Sequence, residues 1–147
     1  MKQIIEIYPK PPSPCNCMNI RRASRAVTQF YDDMLKPSGL TTAQLGVLRH
    51  IEVVEQITIS ELATMIRIDR TTLNRNMKPL VDGGLISIKQ GKDLRTKQVM
   101  LTDTGKAAVA KAWERWGEAQ VLLREYLGRE DLGKLTQLLS KLEALVP

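Results

Sequence analysis

The sequence predicts a mainly α-helical chain that carries one small β-hairpin, an α+β fold. Over most of residues 15–82, apolar side chains recur at spacings of three and four residues, which is the helical period. Residues 85–88 and, less cleanly, 97–101 alternate apolar and polar, which is typical of strands. Residues 103–147 are rich in Ala and Leu and return to the helical period.

Length and composition limit the class of protein. The chain has 147 residues, so we expect one domain, with or without an extension. Its net charge of +6 and pI of about 9.5 suit a polyanionic partner, although many soluble proteins carry such a charge and bind no nucleic acid. No apolar run approaches the roughly 20 residues of a membrane span, and the first residues lack a signal-peptide core. Two cysteines one residue apart make no disulfide framework, so we expect a reduced, cytoplasmic protein with no membrane partner.

The chain divides into consecutive parts without an internal repeat. Residues 1–14 form a flexible, Pro-rich arm, because four prolines between Pro9 and Pro14 fix φ and remove backbone donors. Residues 15–38 are predicted to hold an N-terminal helix from about Cys15 to Leu35. Residues 39–102 carry further helices and the hairpin, and residues 103–147 carry the C-terminal helices.

Two capping boxes mark helix starts in the central part. Gln44 lies three residues after Thr41, and Glu61 lies three residues after Thr58, so each threonine is predicted to cap a helix. A third helix is predicted to begin at Asp69, which is a good N-cap residue.

The helix after Asp69 has one apolar and one polar face. Leu73, Met77 and Leu80 form the apolar stripe. The polar face offers side chains that read bases, since Arg pairs with guanine, Asn pairs with adenine and Thr contacts the thymine methyl group. These candidate DNA contacts are Arg70, Thr71, Asn74, Arg75 and Lys78, with Thr72 at the border. A polar, solvated helix face is the alternative interpretation.

The loop of the hairpin adds two further candidate DNA contacts, Lys92 and Arg95. A loop arginine suits the narrow, electronegative minor groove, and we expect Asp93 to pair with Arg95 and fix its direction. The order of capped helix, polar-faced helix, double glycine and basic hairpin is that of a winged helix-turn-helix, in which the second helix enters the major groove.

The chain resembles the MarR family of bacterial and archaeal transcriptional regulators. The resemblance covers about residues 15–147, and its most specific part is Asp93-x-Arg95 followed by Leu101-Thr-Asp-Thr-Gly105. It implies a triangular homodimer that binds a palindromic DNA operator. By position it also implies that Arg70 through Lys78 lie in the major groove and that Arg95 enters the minor groove.

The C-terminal part favours a dimer independently of the resemblance. One long helix is predicted from Thr104 to Tyr126, ended by Gly128, and leucines then repeat at three and four residues from Leu132 to Leu145. So few other elements would struggle to cover both helices in a monomer, although a hairpin of helices within one chain is the alternative. In the family these helices join the N-terminal helix to form the dimerisation domain.

The two cysteines leave two interpretations open. In the family's organic-peroxide sensors a cysteine in the first helix is oxidised, and Cys17 falls at that position, with Arg25 and Tyr31 at matching sites. Arg21 and Thr42 stand where those sensors have two further tyrosines. Cys15 would then resolve an oxidised Cys17. The other interpretation is that both cysteines are structural.

The sequence favours a regulator over an enzyme and predicts no metal and no cofactor. It has no Walker loop or nucleophile elbow, and Cys15, Cys17 and His50 are too few for a spaced metal set. We therefore expect a repressor released by a small-molecule effector, with a thiol-based redox sensor as the alternative. A helical interaction module that does not bind DNA is a third class, which salt-dependent duplex binding would distinguish.

Overall fold

The structure is a computed structural model that describes residues 5–91, 93 and 95–147. In these residues six α-helices surround a small sheet. The helices are α1 (Asn16–Leu35), α2 (Thr42–Val54), α3 (Ile59–Ile66), α4 (Arg70–Asp82), α5 (Asp103–Leu127) and α6 (Arg129–Glu143), and the strands are β1 (Ile57–Thr58), β2 (Ile86–Gln90) and β3 (Lys97–Leu101). The predicted fold class is confirmed, and no described helix is long and apolar enough to cross a membrane.

The helix starts lie where the capping residues predict them. The side chain of Thr41 accepts from the backbone N–H of Gln44 at 3.2 Å, and that of Thr58 accepts from Glu61 at 3.1 Å. In both cases the side chain at the third helical position also reaches back to the cap, so both capping boxes are complete.

The sheet has one strand more than the hairpin that the sequence predicts. Its order is β1-β3-β2, and both pairings are antiparallel. In the hairpin Ile86 pairs with Leu101 and Ile88 with Val99, while Ile57 of β1 pairs with Val99 from the other side. The segment just before α3 is thereby fixed to the hairpin.

One hydrophobic core joins α2, α3, α4, the sheet and the first half of α5. Side chains with no exposed surface lie at its centre, namely Leu48, Ile51, Leu62, Leu73, Val99 and Ala112. Burial of each of the larger of these side chains stabilises the fold by about 1.5–3 kcal/mol. Because these elements share one core, α4 cannot tilt without disturbing its neighbours.

The end of α4 is joined to the start of α5 through main-chain contacts. Gly84 follows the end of α4 with φ of 72°, a left-handed conformation that favours glycine. The Thr102 N–H donates to the Leu85 carbonyl at 3.1 Å, and the Thr102 hydroxyl donates to the Gly84 carbonyl at 2.6 Å. Gly105 lies against the same segment, because a Cβ atom there would stand 2.0 Å from the Leu85 oxygen.

A second, smaller core connects α1 to the middle of α5. It contains the buried side chains of Tyr31, Met34 and Ala119, and the Tyr31 hydroxyl donates to Oε1 of Gln120. Burial raises the pKa of Tyr31, so this hydroxyl stays protonated at neutral pH.

An aromatic stack lies where α2 meets α5. The rings of Trp113 and Trp116 are parallel within 15°, with centroids 4.3 Å apart. The Arg49 guanidinium of α2 lies 4.4 Å from the Trp113 ring centroid and pairs with Glu52 at 2.5 Å. A cation over an aromatic face is attracted to it, so this contact helps hold α2 against α5.

We expect Gly105→Ala to destabilise the protein by about 1–3 kcal/mol, because the added methyl group overlaps the Leu85 carbonyl and the main chain there has to move. Chemical denaturation of the variant measures the loss. Gly46→Ala in α2 is the matched control, since its Cβ would meet no atom within 4 Å. It should be neutral or stabilising by roughly 0.5–1 kcal/mol. Equal stability of the two variants would contradict the close approach.

Candidate nucleic-acid interface

The orientation of α4 is set by its apolar stripe. Leu73, Met77 and Leu80 are 0%, 2% and 1% exposed, so this face lies entirely in the core. The opposite face is directed away from the protein. The stripe predicted from the sequence is confirmed, and it fixes which side chains a ligand can reach.

The outward face of α4 carries the predicted polar side chains. Thr71, Arg75 and Lys78 follow one another at i, i+4 and i+7, so they lie on one line along the helix, and all three are exposed. Arg70 and Asn74 flank this line and are also exposed, whereas Thr72 is half-buried at its border. The structure therefore brings the six candidates of α4 onto one surface.

Asp69 closes the first turn of α4 through Thr72. Its Oδ2 accepts the Thr72 backbone N–H at 2.9 Å, and its Oδ1 accepts the Thr72 hydroxyl at 2.5 Å. The side-chain bond from Thr72, followed by the backbone bond, holds the pKa of Asp69 below its ordinary value. The carboxylate is thus ionised at neutral pH. The capping role was predicted from the sequence, but its grip on the Thr72 hydroxyl was not.

The turn between α3 and α4 holds a second feature that the sequence did not indicate. Arg67 has φ of 65°, a left-handed conformation that is uncommon for a residue with a side chain. Its guanidinium pairs with Glu143 at the end of α6 at 3.0 Å, and both side chains are largely exposed. The two partners are 76 residues apart, so no local pattern pointed to them. An open groove of about 1080 Å³ lies beside this pair, lined also by Ser60, Thr64, Arg70 and Ser140.

The tip of the hairpin is organised by Asp93. Its Oδ1 accepts the backbone N–H of Arg95 at 3.0 Å, and its carbonyl accepts both the N–H and the hydroxyl of Thr96 at 2.9 Å. Asp93 therefore orients Arg95 through the main chain of Arg95, where the sequence analysis expected a pairing with the side chain. The Arg95 side chain is exposed at the tip. Lys92, the other predicted contact of this loop, lies outside the described residues.

The strands of the hairpin add two cations that were not predicted from the sequence. Lys89 of β2 and Lys97 of β3 are both exposed. Together with Arg95 they give the hairpin a positive charge to match that of Arg70, Arg75 and Lys78 on α4. Cations on a recognition helix and on an adjacent hairpin are suited to contact the phosphates that flank a groove, while Arg and Asn read base edges.

The residues considered for redox sensing are not gathered in one chain. Cys15 caps α1 and Cys17 lies in its first turn, and both are free and exposed. Tyr31 is 14 residues further along the same helix, a rise of about 21 Å from Cys17. Its hydroxyl is engaged with Gln120. Within one chain Tyr31 therefore cannot hold a thiolate at Cys17.

The chain is similar in sequence to known proteins of one family, and that similarity agrees with the fold and the surface described above. A family model described as the MarR family matches residues 38–95. An uncharacterized HTH-type transcriptional regulator of Bacillus cereus ATCC 10987 is 30% identical over 125 residues, which cover 84% of each chain. The chain belongs to the MarR family. It is thus a DNA-binding transcriptional regulator, and this family membership confirms the expectation that it is not an enzyme.

Solved structures of MarR-type regulators on DNA share this architecture. The Mycobacterium tuberculosis regulator MosR, in complex with DNA, is 38% identical, with a TM-score of 0.74 over 90% of this chain and 99% of that chain. The transcriptional repressor CouR, bound to a 23-mer DNA duplex, is 27% identical, with a TM-score of 0.79 over 88% of this chain and 92% of that chain.

We predict that Arg75 reads a base. Arg75→Ala should weaken binding to the preferred duplex by roughly 1–3 kcal/mol, because a bidentate contact to guanine is lost, and it should relax preference at one position of each half-site. Arg75→Lys is the matched control, since it keeps the charge but not the fork of donors. Fluorescence anisotropy on preferred and scrambled duplexes measures both effects. A wild-type ratio between the two duplexes in the alanine variant would remove Arg75 from the base contacts.

We predict a different signature for Arg95. Arg95→Ala should lower affinity and reduce the salt dependence of binding by about one phosphate-equivalent, since the exposed guanidinium is lost from the hairpin tip. The melting temperature should stay at the wild-type value because Arg95 is exposed. A salt titration of duplex binding gives the slope. Unchanged affinity and slope would show that the hairpin tip does not contact DNA.

Proposed function

We propose that this MarR-family regulator acts as a homodimeric repressor that binds a palindromic operator and is released by a small ligand. The observation that carries the proposal is that the apolar side of α6 is uncovered. None of its residues is buried within the chain, although leucines recur along it at helical spacing. An amphipathic helix of this kind gains stability only when its apolar side is covered.

Exposed apolar side chains also lie on α1 and α5. The exposed side chains are Leu138, Leu139, Leu142 and Leu145 near the C-terminus, Met18, Ile20 and Val27 on α1, and Val121 and Tyr126 on α5. Monomeric soluble proteins rarely leave large apolar patches open to water, so exposed apolar side chains on three helices favour an interaction surface. A second copy of the chain would present the same surface and cover it, with each patch burying the other.

The uncovered surface supports a division of the chain into a dimerisation domain and a DNA-binding domain. Residues 15–38 and 103–147 would form the dimerisation domain, and residues 39–102 would form the DNA-binding domain. Residues 1–14 would remain an arm; of these, residues 5–14 contain no helix or strand, and only Ser13 is tied to α1, through Asn19 at 2.8 Å.

A two-fold dimer would present two copies of α4 to one face of a duplex. Such proteins bind half-sites about 34–36 Å apart, one helical turn of DNA, and the symmetry of the protein is mirrored in a palindromic site. Each half-site contact raises the effective concentration of the other, so dimerisation also raises affinity. In each half-site we assign the contacts to Arg70, Thr71, Thr72, Asn74, Arg75 and Lys78 in the major groove, and to Lys92 and Arg95 at the hairpin.

The groove beside Arg67 supports the idea of a releasing ligand. It lies between the first turn of α4 and the end of α6, so it separates the DNA-binding domain from the dimerisation domain. A small acid bound at Arg67 would compete with Glu143 for the guanidinium, and it would change how α6 is held against the turn before α4. Repression would follow where the operator overlaps a promoter. The similar protein CouR is itself a transcriptional repressor.

Thiol-based redox sensing is the second candidate. It is favoured by the exposure of both Cys15 and Cys17 and by the position of Cys17 in the first turn of α1, close to exposed apolar surface such as Met18 and Ile20. Oxidation there would add a polar or bulky group to the proposed dimer interface and change the spacing of the two α4 helices. Because Tyr31 is about 21 Å away along α1, only the Tyr31 of a second copy would be able to approach Cys17.

We predict that Leu138→Glu converts the dimer into monomers and abolishes tight operator binding. The charge would be buried without a partner in the dimer, whereas in a monomer it remains in water because Leu138 is 57% exposed. Val53→Glu on α2 is the matched control, with an apolar side chain that is 66% exposed. Size-exclusion chromatography with light scattering gives the mass of each variant. A dimeric Leu138→Glu protein with wild-type affinity would contradict the assigned interface.

We predict that an organic hydroperoxide acts through Cys17 if the protein is a redox sensor. Cumene hydroperoxide should then release the wild-type protein from its operator in a gel shift, and Cys17→Ser should stay bound. The matched control is Cys15→Ser, which should still respond but recover differently on reduction. Release of neither protein, or of both equally, would exclude Cys17 as the sensor and leave a small ligand as the effector.

A further inference from the structure

We propose that Asp69 is a positioning residue for sequence recognition: it holds Thr72 so that the threonine presents its methyl group, and not its hydroxyl hydrogen, to a thymine of the operator. This inference rests on the proposed placement of α4 in the major groove. Asp69 does not itself read a base, but it determines which group of Thr72 faces the DNA.

The Asp69 carboxylate contacts Thr72 at two points, one on the main chain and one on the side chain. One carboxylate oxygen of Asp69 accepts the Thr72 backbone N–H at 2.9 Å, and the other accepts the Thr72 hydroxyl at 2.5 Å. The backbone bond fixes the carboxylate against the first turn of α4, and the hydroxyl bond then fixes the rotation of the threonine side chain about its first torsion. An unrestrained threonine in a helix divides between two such rotations.

The hydrogen bond to Asp69 limits which groups Thr72 can offer to DNA. A hydroxyl has one hydrogen, and Asp69 already accepts it. Thr72 thus has no hydrogen to give to the acceptor atoms of a purine edge or to a phosphate. What remains is the methyl group and an oxygen lone pair, and the C5-methyl group of thymine is the apolar group of the major groove that a threonine methyl contacts.

The position of Thr72 permits that contact. It is half-buried at the border of the exposed face, three residues before Arg75 and therefore one turn from it on the same side of α4. With α4 in the major groove, a border residue such as Thr72 would approach the side of the groove floor, where thymine methyl groups project, and Arg75 on the outward line would reach the neighbouring base edges.

The charge of Asp69 also argues for a role beyond capping. Ser or Asn would cap the helix equally well without placing a negative charge beside phosphates. Only an ionised carboxylate accepts two hydrogen bonds at once and donates none, which is what fixes both groups of Thr72. The bonds from Thr72 hold the pKa of Asp69 below its ordinary value, so this arrangement persists at neutral pH.

The first experiment removes single methyl groups from both partners. The wild-type protein selects its preferred duplex from a randomised library, and each thymine of that duplex is then replaced by deoxyuridine, which lacks only the methyl group. We expect one position in each half-site at which the replacement weakens wild-type binding about fourfold, the effect of one buried methyl group. Thr72→Val lacks the hydroxyl that Asp69 holds, but valine in a helix keeps one strongly preferred rotation by itself, so its methyl groups stay in place and the sensitivity should remain. Thr72→Ser loses the methyl group and should lose the sensitivity.

The second experiment changes Asp69, the residue that positions Thr72. Asp69→Asn keeps a cap but supplies an amide that donates to the Thr72 oxygen, which frees the hydroxyl hydrogen. We expect the deoxyuridine sensitivity to fall toward onefold while binding to scrambled duplexes becomes tighter, because a negative charge is gone. Glu114→Gln, an exposed site on α5, is the charge-matched control and should keep the wild-type sensitivity.

An NMR titration of the Asp69 carboxyl group checks the contact in solution. In Thr72→Val the pKa of Asp69 should rise toward its ordinary value, since the first cause of its lowering is the Thr72 side chain. The same contact should contribute stability that is present above the ordinary pKa of aspartate and is lost as the pH falls through the lowered value. An Asp69 pKa unchanged by Thr72→Val would overturn the proposed grip.

The outcomes separate this inference from the function on which it rests. If the wild-type protein selects no sequence from the library, both fail. If it selects a sequence but no thymine is sensitive to deoxyuridine, or if Thr72→Ser keeps the sensitivity, the recognition function stands and the role of Asp69 and Thr72 is wrong.

Discussion

The structure depends on the close approach between Gly105 and the Leu85 carbonyl. Without a side chain at Gly105, the first turn of α5 rests directly on the segment that ends α4, and Thr102 fastens the two with hydrogen bonds to Gly84 and Leu85. The helix that carries the candidate base contacts is therefore fixed at its C-terminal end to the longest helix of the chain. Any movement of α5 is transmitted to α4 through main-chain atoms, which yield less than flexible side chains.

The N-terminal end of α4 is held in a different way, by polar side chains at the surface. Asp69 caps the helix, and Arg67 in the preceding turn pairs with Glu143 of α6 in contact with water. Exposed ion pairs of this kind contribute at most about 1 kcal/mol and weaken with salt. The two ends of α4 thus differ in rigidity, and the end that is more easily changed is the one nearest the groove proposed for a ligand.

Much of this arrangement could be predicted from the sequence because it is local. The capping boxes at Thr41 and Thr58 and the stripe of Leu73, Met77 and Leu80 depend on residues three or four positions apart, and all are confirmed. The missed features join distant segments. The short strand β1 exists only through its pairing with β3, some 40 residues later, and Arg67 meets Glu143 only after the chain has folded. The sequence pattern within one segment does not predict a partner in a distant one.

The aromatic stack between α2 and α5 has a practical consequence. Trp113 and Trp116 are the two tryptophans of the sequence, and Arg49 from the neighbouring helix covers one of them. All indole emission therefore originates at the junction where the DNA-binding helices meet the long helix. Because indole fluorescence changes with a nearby cation and with ring stacking, the chain carries its own optical probe of that junction, and rearrangements there become visible in real time without an attached dye.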